Sequence, residues 1–200
     1  MKLFLIRHAE TTANTSTVIL GGKEHGELSP RGKLQAAGVA RRLAKEKISA
    51  IYCSSLFRAR QTAEAIAKGR GCTVHFCDEL REIEVGKLSG LSHEESEIKF
   101  PNAFNNAFES PSKKLPGGEC VNEVKFRAMP LIEALVKENN STIAVIGHNV
   151  VNRVILASLL GMPLERARSL KIKNACVVLI NPKPGFAQLY SLDNSLHGIR

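Results

Sequence analysis

The 200-residue sequence predicts an α/β protein with three layers, α/β/α, in which helices cover both faces of a mainly parallel sheet. Short apolar runs rich in β-formers recur along the chain, and several lack any polar position, as in strands buried on both faces. Helix-like stretches separate most of these runs, which is the chain order of parallel α/β folds. The length and the 44% hydrophobic content suffice for a substantial core, so we expect residues 1–200 to form one domain.

Six segments are predicted as strands: Leu3–Ile6, Ala50–Cys53, Thr73–Phe76, Ile143–Ile146, Ala175–Ile180 and Phe186–Leu192. The last two are expected to form a closing hairpin, because Pro182-Lys183-Pro184-Gly185 between them has turn composition.

Four helices are expected between the strands. The first begins at Ser29-Pro30, because Ser can cap a helix and Pro suits its first turn. The others are Gln61–Lys68, a stretch from Glu119 to Glu138, and Val150–Leu160. Pro130 should kink or divide the third of these, since it cannot donate a helical hydrogen bond.

A polar segment with three prolines, about residues 90–118, interrupts the alternation and is interpreted as a small helical cap insertion. Phe100, Phe104 and Phe108 are spaced by four in it. Packing of these rings onto the domain is the favoured interpretation over substrate contact, although a lid could serve both purposes.

The formal net charge of +9 indicates an anionic partner, either a small anion or a nucleic acid. Aromatic residues are only 5% and Trp is absent, which favours the small anion and argues against nucleic acid. The basic cluster Arg166-x-Arg168-x-x-Lys171-x-Lys173 is interpreted as a solvated helix face.

Other classes of protein are disfavoured by the sequence. No apolar run approaches the roughly 20 residues that cross a bilayer, and the first run meets Arg7 too soon for a secretory signal. We therefore expect a cytoplasmic protein without membrane contact. The five cysteines lack C-x-x-C spacing and indicate neither a disulfide framework nor a zinc site, so no metal or other cofactor is expected.

Cationic side chains follow three predicted strands at the point where each strand ends. Arg7-His8 follows the first strand, Ser54-Ser55-Leu56-x-Arg58 the second, and Gly147-His148-Asn149 the fourth. A lone histidine at such a place is usually structural. Ligands of open α/β sheets bind at the carboxyl ends of the strands, however, so three such segments predict an anion site at this edge.

These residues belong to a longer pattern that resembles the histidine phosphatase superfamily, the phosphoglycerate-mutase-like proteins, and within it the small bacterial phosphatases. Leu5-Ile6-Arg7-His8-Ala9-Glu10-Thr11-Thr12-Ala13-Asn14 matches the signature strand-R-H-G-x-T-x-x-N, except that Ala9 replaces Gly. Further blocks follow in the family order: Leu28-Ser29-Pro30-Arg31-Gly32, Ser54-Ser55-Leu56-x-Arg58-Ala59-x-Gln61-Thr62-Ala63, Leu80-Arg81-Glu82-Ile83-x-x-Gly86, Pro116-Gly117-Gly118-Glu119 and Ile146-Gly147-His148.

The resemblance implies that His8 is a nucleophile that forms a phosphohistidine, which water then hydrolyses. Arg7, Arg58 and His148 would surround the phosphoryl oxygens with charge-assisted hydrogen bonds. The pKa values of the two histidines would have to differ, because His8 must be neutral to attack, whereas a bound dianion favours protonated His148.

The resemblance also makes Glu82 the general acid, with Glu79 and Glu84 as less favoured alternatives. Asn14 is expected to support the phosphate, and Thr11 to orient its loop.

The implied activity is metal-independent hydrolysis of a small phosphate monoester, such as α-ribazole phosphate, phosphoserine or a sugar phosphate. A cofactor-dependent phosphoglycerate mutase is the first alternative function, and a non-catalytic phosphate-binding or interaction module is the second. The sequence leaves the oligomeric state open, with a homodimer as one option. Because Lys113-Lys114 is the obvious second cationic site of the cap and is interpreted as exposed, a neutral or amphipathic leaving group is expected.

The sequence departs from the family pattern at three places. Ala9 adds a methyl group beside the nucleophile, which should be tolerated where φ stays negative. Ser89 stands where the family often has an acidic residue, and Asn149-Val150 where it often has a Gly-rich turn.

Overall fold

A computed structural model of the chain, which describes residues 1–16, 18–22, 26–138, 141–183 and 186–198, contains a six-stranded sheet with helices on both sides. All six predicted strands are present, with slightly different ends. They are β1 (Leu3–Arg7), β2 (Ile48–Ser54), β3 (Thr73–Cys77), β4 (Thr142–Gly147), β5 (Val177–Lys183) and β6 (Phe186–Asp193).

The helices include the four that the sequence predicts. They are α1 (Thr12–Thr15), α2 (Pro30–Arg42), α3 (Phe57–Ala67), α4 (His93–Lys99), α5 (Ala103–Glu109), α6 (Val121–Glu138) and α7 (Asn149–Leu159). Short 3-10 helices cover Asp78–Leu80, Gly86–Leu88, Leu164–Ser169 and Ser195–Gly198. Within the described ranges, none of the helices combines the length and apolar character that a bilayer crossing requires.

Two predictions about helices have different outcomes. Ser29 caps α2 as expected, because its hydroxyl accepts the Gly32 amide at 2.9 Å. The prediction that Pro130 divides α6 is wrong, since the helix runs through it without a break. Buried residues on both sides of the proline, such as Ala128 and Ile132, hold the helix on the sheet and outweigh the lost hydrogen bond.

The strand order is β3-β2-β4-β1-β5-β6, in which the first four strands are parallel and β5 pairs antiparallel with both β1 and β6. The mainly parallel sheet and the closing hairpin are therefore confirmed. Of the predicted turn, Pro182 and Lys183 are the last residues of β5, whereas Pro184 and Gly185 lie outside the described residues.

Alternate side chains of β1 enter two separate cores, which confirms the three layers. Leu3 and Leu5 pack in the core that includes α6 and α7 residues, whereas Phe4 and Ile6 pack with residues of α2 and α3. All four are fully buried, as expected for a central strand covered on both faces.

The segment between β3 and α6 contains two short helices, α4 and α5, as expected for a small helical cap. Phe100 follows α4, while Phe104 and Phe108 lie on α5, so the three rings do not share one helix. Phe108 is buried and the other two pack partly buried on the α6–α7 core, so the packing interpretation is confirmed. That residues 1–200 form one domain with this insertion stays a prediction.

Candidate active site

The sheet order brings four predicted site residues together. Arg7 is paired with Gly147 across the parallel strands β1 and β4, so His8 and His148 follow neighbouring strands at the same edge. Their ring centroids lie 5.0 Å apart. β2 flanks β4 on its other side, and Arg58 in the first turn of α3 donates from Nε to His148 Nδ1 at 3.2 Å. We call Arg7, His8, Arg58 and His148 the cationic cluster.

His8 is held so that one ring nitrogen keeps its lone pair. Its Nδ1 lies 2.7 Å from the Ala9 carbonyl oxygen, which can only accept, so Nδ1 carries the proton and Nε2 the lone pair. Ala9 is fully buried and is not among the residues with positive φ. The extra methyl group is therefore accommodated without backbone strain, as expected.

Burial and neighbouring cations lower the pKa of both histidines well below the usual value. Burial is the largest cause for each, and Arg58 is the next. The result agrees with a neutral His8. The protonated His148 expected with a bound dianion stays a prediction, because burial and the cations around the ring favour its neutral form as long as no anion is bound.

His148 is fully buried and does not line the cavity that His8, Arg7 and Arg58 line. Its Nε2 lies 2.8 Å from the Ser54 hydroxyl, and its Nδ1 accepts from Arg58. The ring thus orients Arg58 rather than facing the cavity. Ser54 also accepts the Leu56 amide at 3.3 Å and so helps to order the turn that leads to Arg58.

Backbone carbonyls orient the two arginines. Arg7 Nη1 donates to Ile172 at 2.8 Å, and Arg58 Nη2 donates to Gly21 at 2.7 Å. Burial lowers the pKa of each guanidinium to about 10, so both remain cations at neutral pH. Arg7 Nε is buried and has no hydrogen-bond partner in the described part of the chain. These groups are suited to bind an anion.

Thr11 and Asn14 form a capping box at the start of α1. Asn14 Oδ1 accepts from both the amide and the hydroxyl of Thr11 at 3.0 Å, and Asn174 donates to the same oxygen at 3.2 Å. Both residues line the cavity. Thr11 therefore fixes the side chain of Asn14 beside the cationic cluster.

Glu82 is anchored at the start of α7. Its Oε1 accepts from the amides of Val150 and Val151 at 3.1 and 3.2 Å, which orients the carboxylate at a helix N-terminus. Glu82 lines the cavity, whereas Glu79 is exposed and Glu84 pairs with a neighbouring arginine outside it. The geometry favours Glu82 over its two alternatives.

A brace behind Glu82 was not anticipated from the sequence. Arg127 donates to the Glu79 and Glu82 carbonyls and pairs with Glu119 at 3.0 Å, while the Glu119 carboxylate accepts the Glu84 amide. A Cβ on Gly118 would lie 2.1 Å from the Glu84 carbonyl oxygen, so only glycine allows this close approach. The sequence block Pro116-Gly117-Gly118-Glu119 is the feature from which this brace could have been predicted.

The cavity at this edge has a volume of about 620 Å³ and is lined by more charged groups than the sequence predicts. Beyond the predicted residues and Phe104 and Phe108 of α5, the lining includes His93, Glu94, Glu97, Asn149, Arg153 and Arg168.

The interpretation of Lys113-Lys114 as exposed is confirmed. Neither lysine lines the cavity, and Lys114 pairs with Glu123 at 2.6 Å. The interpretation of Arg168 as part of a solvated face is incomplete, since this exposed residue lines the cavity rim together with Arg153. Among the described residues, no group of three or more potential metal ligands is clustered.

The sequence matches the family described as the histidine phosphatase superfamily (branch 1) over residues 3–195. The chain belongs to this superfamily.

Individual members of the superfamily cover nearly the whole chain. Phosphoserine phosphatase 1 of Hydrogenobacter thermophilus is 35% identical over 187 residues, which are 90% of this chain and 86% of that protein. A mycobacterial glucosyl-3-phosphoglycerate phosphatase structure with VO3 has a TM-score of 0.88 at 27% identity and covers 96% of this chain and 98% of its own. The α-ribazole phosphatase of Shigella flexneri has a TM-score of 0.86 at 28% identity, with coverages of 98% and 97%. All three carry phosphatase names, and the chain is an enzyme of this class.

The lowered pKa values of His8 and His148 predict that the free energy of unfolding decreases as the pH is lowered. Below about 6.5 the unfolded chain binds protons at both histidines, whereas the native state does not, so the stability present above that pH is lost as the pH drops. Each histidine can contribute up to about 1.4 kcal/mol per pH unit. Urea unfolding at pH 7.5 and 5.5 should show this loss, and a His8→Gln/His148→Gln double variant should show a smaller one. Equal pH dependence in both proteins would contradict the assignment.

Proposed function

We propose that the protein hydrolyses small phosphate monoesters and that His8 takes up the phosphoryl group. The observation that carries this proposal is the state of the His8 ring, whose Nδ1 is bound to a carbonyl oxygen while Nε2 keeps its lone pair. The ring lines the cavity beside Arg7 and the buried Arg58, and it is kept neutral mainly by burial and further by these two cations. A neutral imidazole beside guanidinium groups is what nucleophilic attack on a phosphate dianion requires.

In the first step, Arg7 and Arg58 bind the phosphoryl oxygens and neutralise their charge. A bond forms between His8 Nε2 and phosphorus as the bond from phosphorus to the ester oxygen breaks. Glu82, protonated at that stage, gives its proton to the leaving alkoxide. Asn14, which lines the same cavity, supports a phosphoryl oxygen.

In the second step, a water molecule attacks the phosphohistidine and the Glu82 carboxylate takes its proton. The bond from phosphorus to Nε2 breaks, inorganic phosphate leaves, and the neutral His8 and protonated Glu82 are restored. No oxidant, reductant or second substrate is needed. His148 contributes to both steps of the reaction by holding Arg58 in place.

The substrate is a small ester. Relatives named for phosphoserine, glucosyl-3-phosphoglycerate and α-ribazole phosphate indicate the range of alcohols that this architecture accepts. A phosphoglycerate mutase would instead return the phosphoryl group to a substrate oxygen. It would interconvert 3- and 2-phosphoglycerate, in the presence of the bisphosphate, faster than it hydrolyses any ester.

Hydrolysis is expected to survive exhaustive chelation, because arginines already supply the positive charge that a metal ion would supply. The measurement is release of p-nitrophenol from p-nitrophenyl phosphate before and after treatment with EDTA. Loss of activity with EDTA and its return with Mg²⁺ or Zn²⁺ would contradict the mechanism. A protein that releases no p-nitrophenol under any of these conditions would be the non-catalytic module.

Glu82→Gln should slow turnover by about 10²- to 10⁴-fold for esters of poor leaving groups, since glutamine cannot donate the proton. The loss should be much smaller for p-nitrophenyl phosphate, whose leaving group hardly needs protonation. Glu84→Gln is the matched control, because Glu84 lies on the same loop outside the cavity. Equal losses on both kinds of ester in the Glu82 variant would show that Glu82 is not the general acid.

A further inference from the structure

One face of α7 presents two side chains to the cavity at a distance of one helical turn. Asn149 and Arg153 are four residues apart, so they lie on the same face, and both line the cavity. Asn149 Oδ1 and Arg153 Nε are buried, and neither atom has a hydrogen-bond partner among the described residues. A hydrogen-bond acceptor and a donor on one helix face therefore both lack a partner, which is uncommon for buried polar atoms unless a ligand satisfies them.

Arg153 also keeps its charge without a direct counter-ion. The structure describes no ion pair for it in the ranges it covers, and Arg168 lines the same cavity. Burial lowers the pKa of Arg153, and the charge of Arg168 acts in the same direction, while Glu82 opposes both. A half-buried guanidinium in this position is stabilised when an anion binds beside it.

The groups of the phosphoryl site are distinct from this pair. Arg7 ends β1 and Arg58 lies in the first turn of α3, and each is directed by a backbone carbonyl, whereas Arg153 lies on the second turn of α7 and Arg168 on the 3-10 helix Leu164–Ser169. Arg7 and Arg153 line the same cavity, so one small molecule can reach both. The cavity therefore offers a second cationic position beyond the one that the phosphoryl group takes.

Acidic residues complete the charge pattern. Glu94 and Glu97 of α4 line the same cavity, and Glu97 already accepts the Asn102 amide at 2.8 Å. A cavity with both signs of charge discriminates against a plain neutral alcohol and suits one that carries its own charged groups.

We propose that Arg153, supported by Arg168, binds a carboxylate on the alcohol part of the substrate, while Asn149 accepts a hydrogen bond from a hydroxyl or ammonium group next to it. The substrate class is then a phosphate ester of a hydroxy acid or of a hydroxy amino acid. This inference rests on the proposed function and replaces the neutral leaving group expected from the sequence.

The test compares pairs of esters that differ in the carboxylate. O-phosphoserine is paired with O-phosphoethanolamine, and 3-phosphoglycerate with glycerol 3-phosphate. In the native protein kcat/KM should be higher for the carboxylate member of at least one pair. In Arg153→Gln that ratio should fall by about 10- to 100-fold, the range expected for a charge-assisted hydrogen-bonded pair. Arg153→Lys should restore part of it, because lysine keeps the charge and loses the planar fork.

Arg166→Gln is the matched control, since Arg166 is exposed on the same 3-10 helix and does not line the cavity. It should leave the ratio unchanged. A ratio unchanged in Arg153→Gln would overturn the proposal. If kcat/KM then falls equally for both members of each pair, Arg153 is a positioning residue for Glu82.

Failure of the proposed function would look different, since the native protein would then hydrolyse neither these esters nor p-nitrophenyl phosphate. Calorimetric binding still decides the subsite in that case. Tighter binding of 3-phosphoglycerate than of glycerol 3-phosphate, lost in Arg153→Gln, would support the carboxylate subsite. Equal binding of the two would refute it.

Discussion

The burial of several cationic groups in one place is the constraint on which the rest of this structure depends. Arg7 and Arg58 lie beside two imidazole rings, and burial lowers the pKa of every member of the cluster, with repulsion from neighbouring cations acting in the same direction. Glu82 is the carboxylate that acts on the pKa of both arginines. Holding such a cluster costs free energy, which a phosphate dianion would offset by supplying the missing charge. The same burial and repulsion keep His8 neutral, so the free-energy cost and the reactivity have one origin.

Rigid elements hold the cluster against this repulsion. The parallel register sets His8 beside His148, and the His8 amide donates to the Gly147 carbonyl oxygen at 3.0 Å across it. Ser54, at the end of the next strand, fixes the second ring. The carboxylate of Glu82 is tied to a helix N-terminus, and Arg127 holds the loop from behind. The reacting groups thus come from strand ends and a helix terminus, where backbone hydrogen bonds fix their positions before substrate binds.

Much of the fold follows from local patterns in the sequence, and the limits of those patterns are physical. Apolar runs identify the strands, and Ser29 identifies a helix start, because both signals are local. Pro130 misleads because packing against the sheet, which the local sequence does not show, holds α6 together. Arg153 was missed because helical spacing gives the residues that share a face but not the cavity that the face lines. The protonation of His148 could not be judged either, since it depends on cations that come from distant parts of the chain.

Identification of the phosphorylated residue tests the central claim most directly. Turnover of a phosphate ester is quenched with alkali, and the site of the phosphoryl group is mapped by mass spectrometry. The account predicts an acid-labile phosphohistidine at His8, lost together with activity by about 10³-fold or more in His8→Ala. His75→Ala, at an exposed histidine on β3, should keep both. A phosphoryl group that persists in His8→Ala, or that is found in the native protein on another residue, would contradict the account.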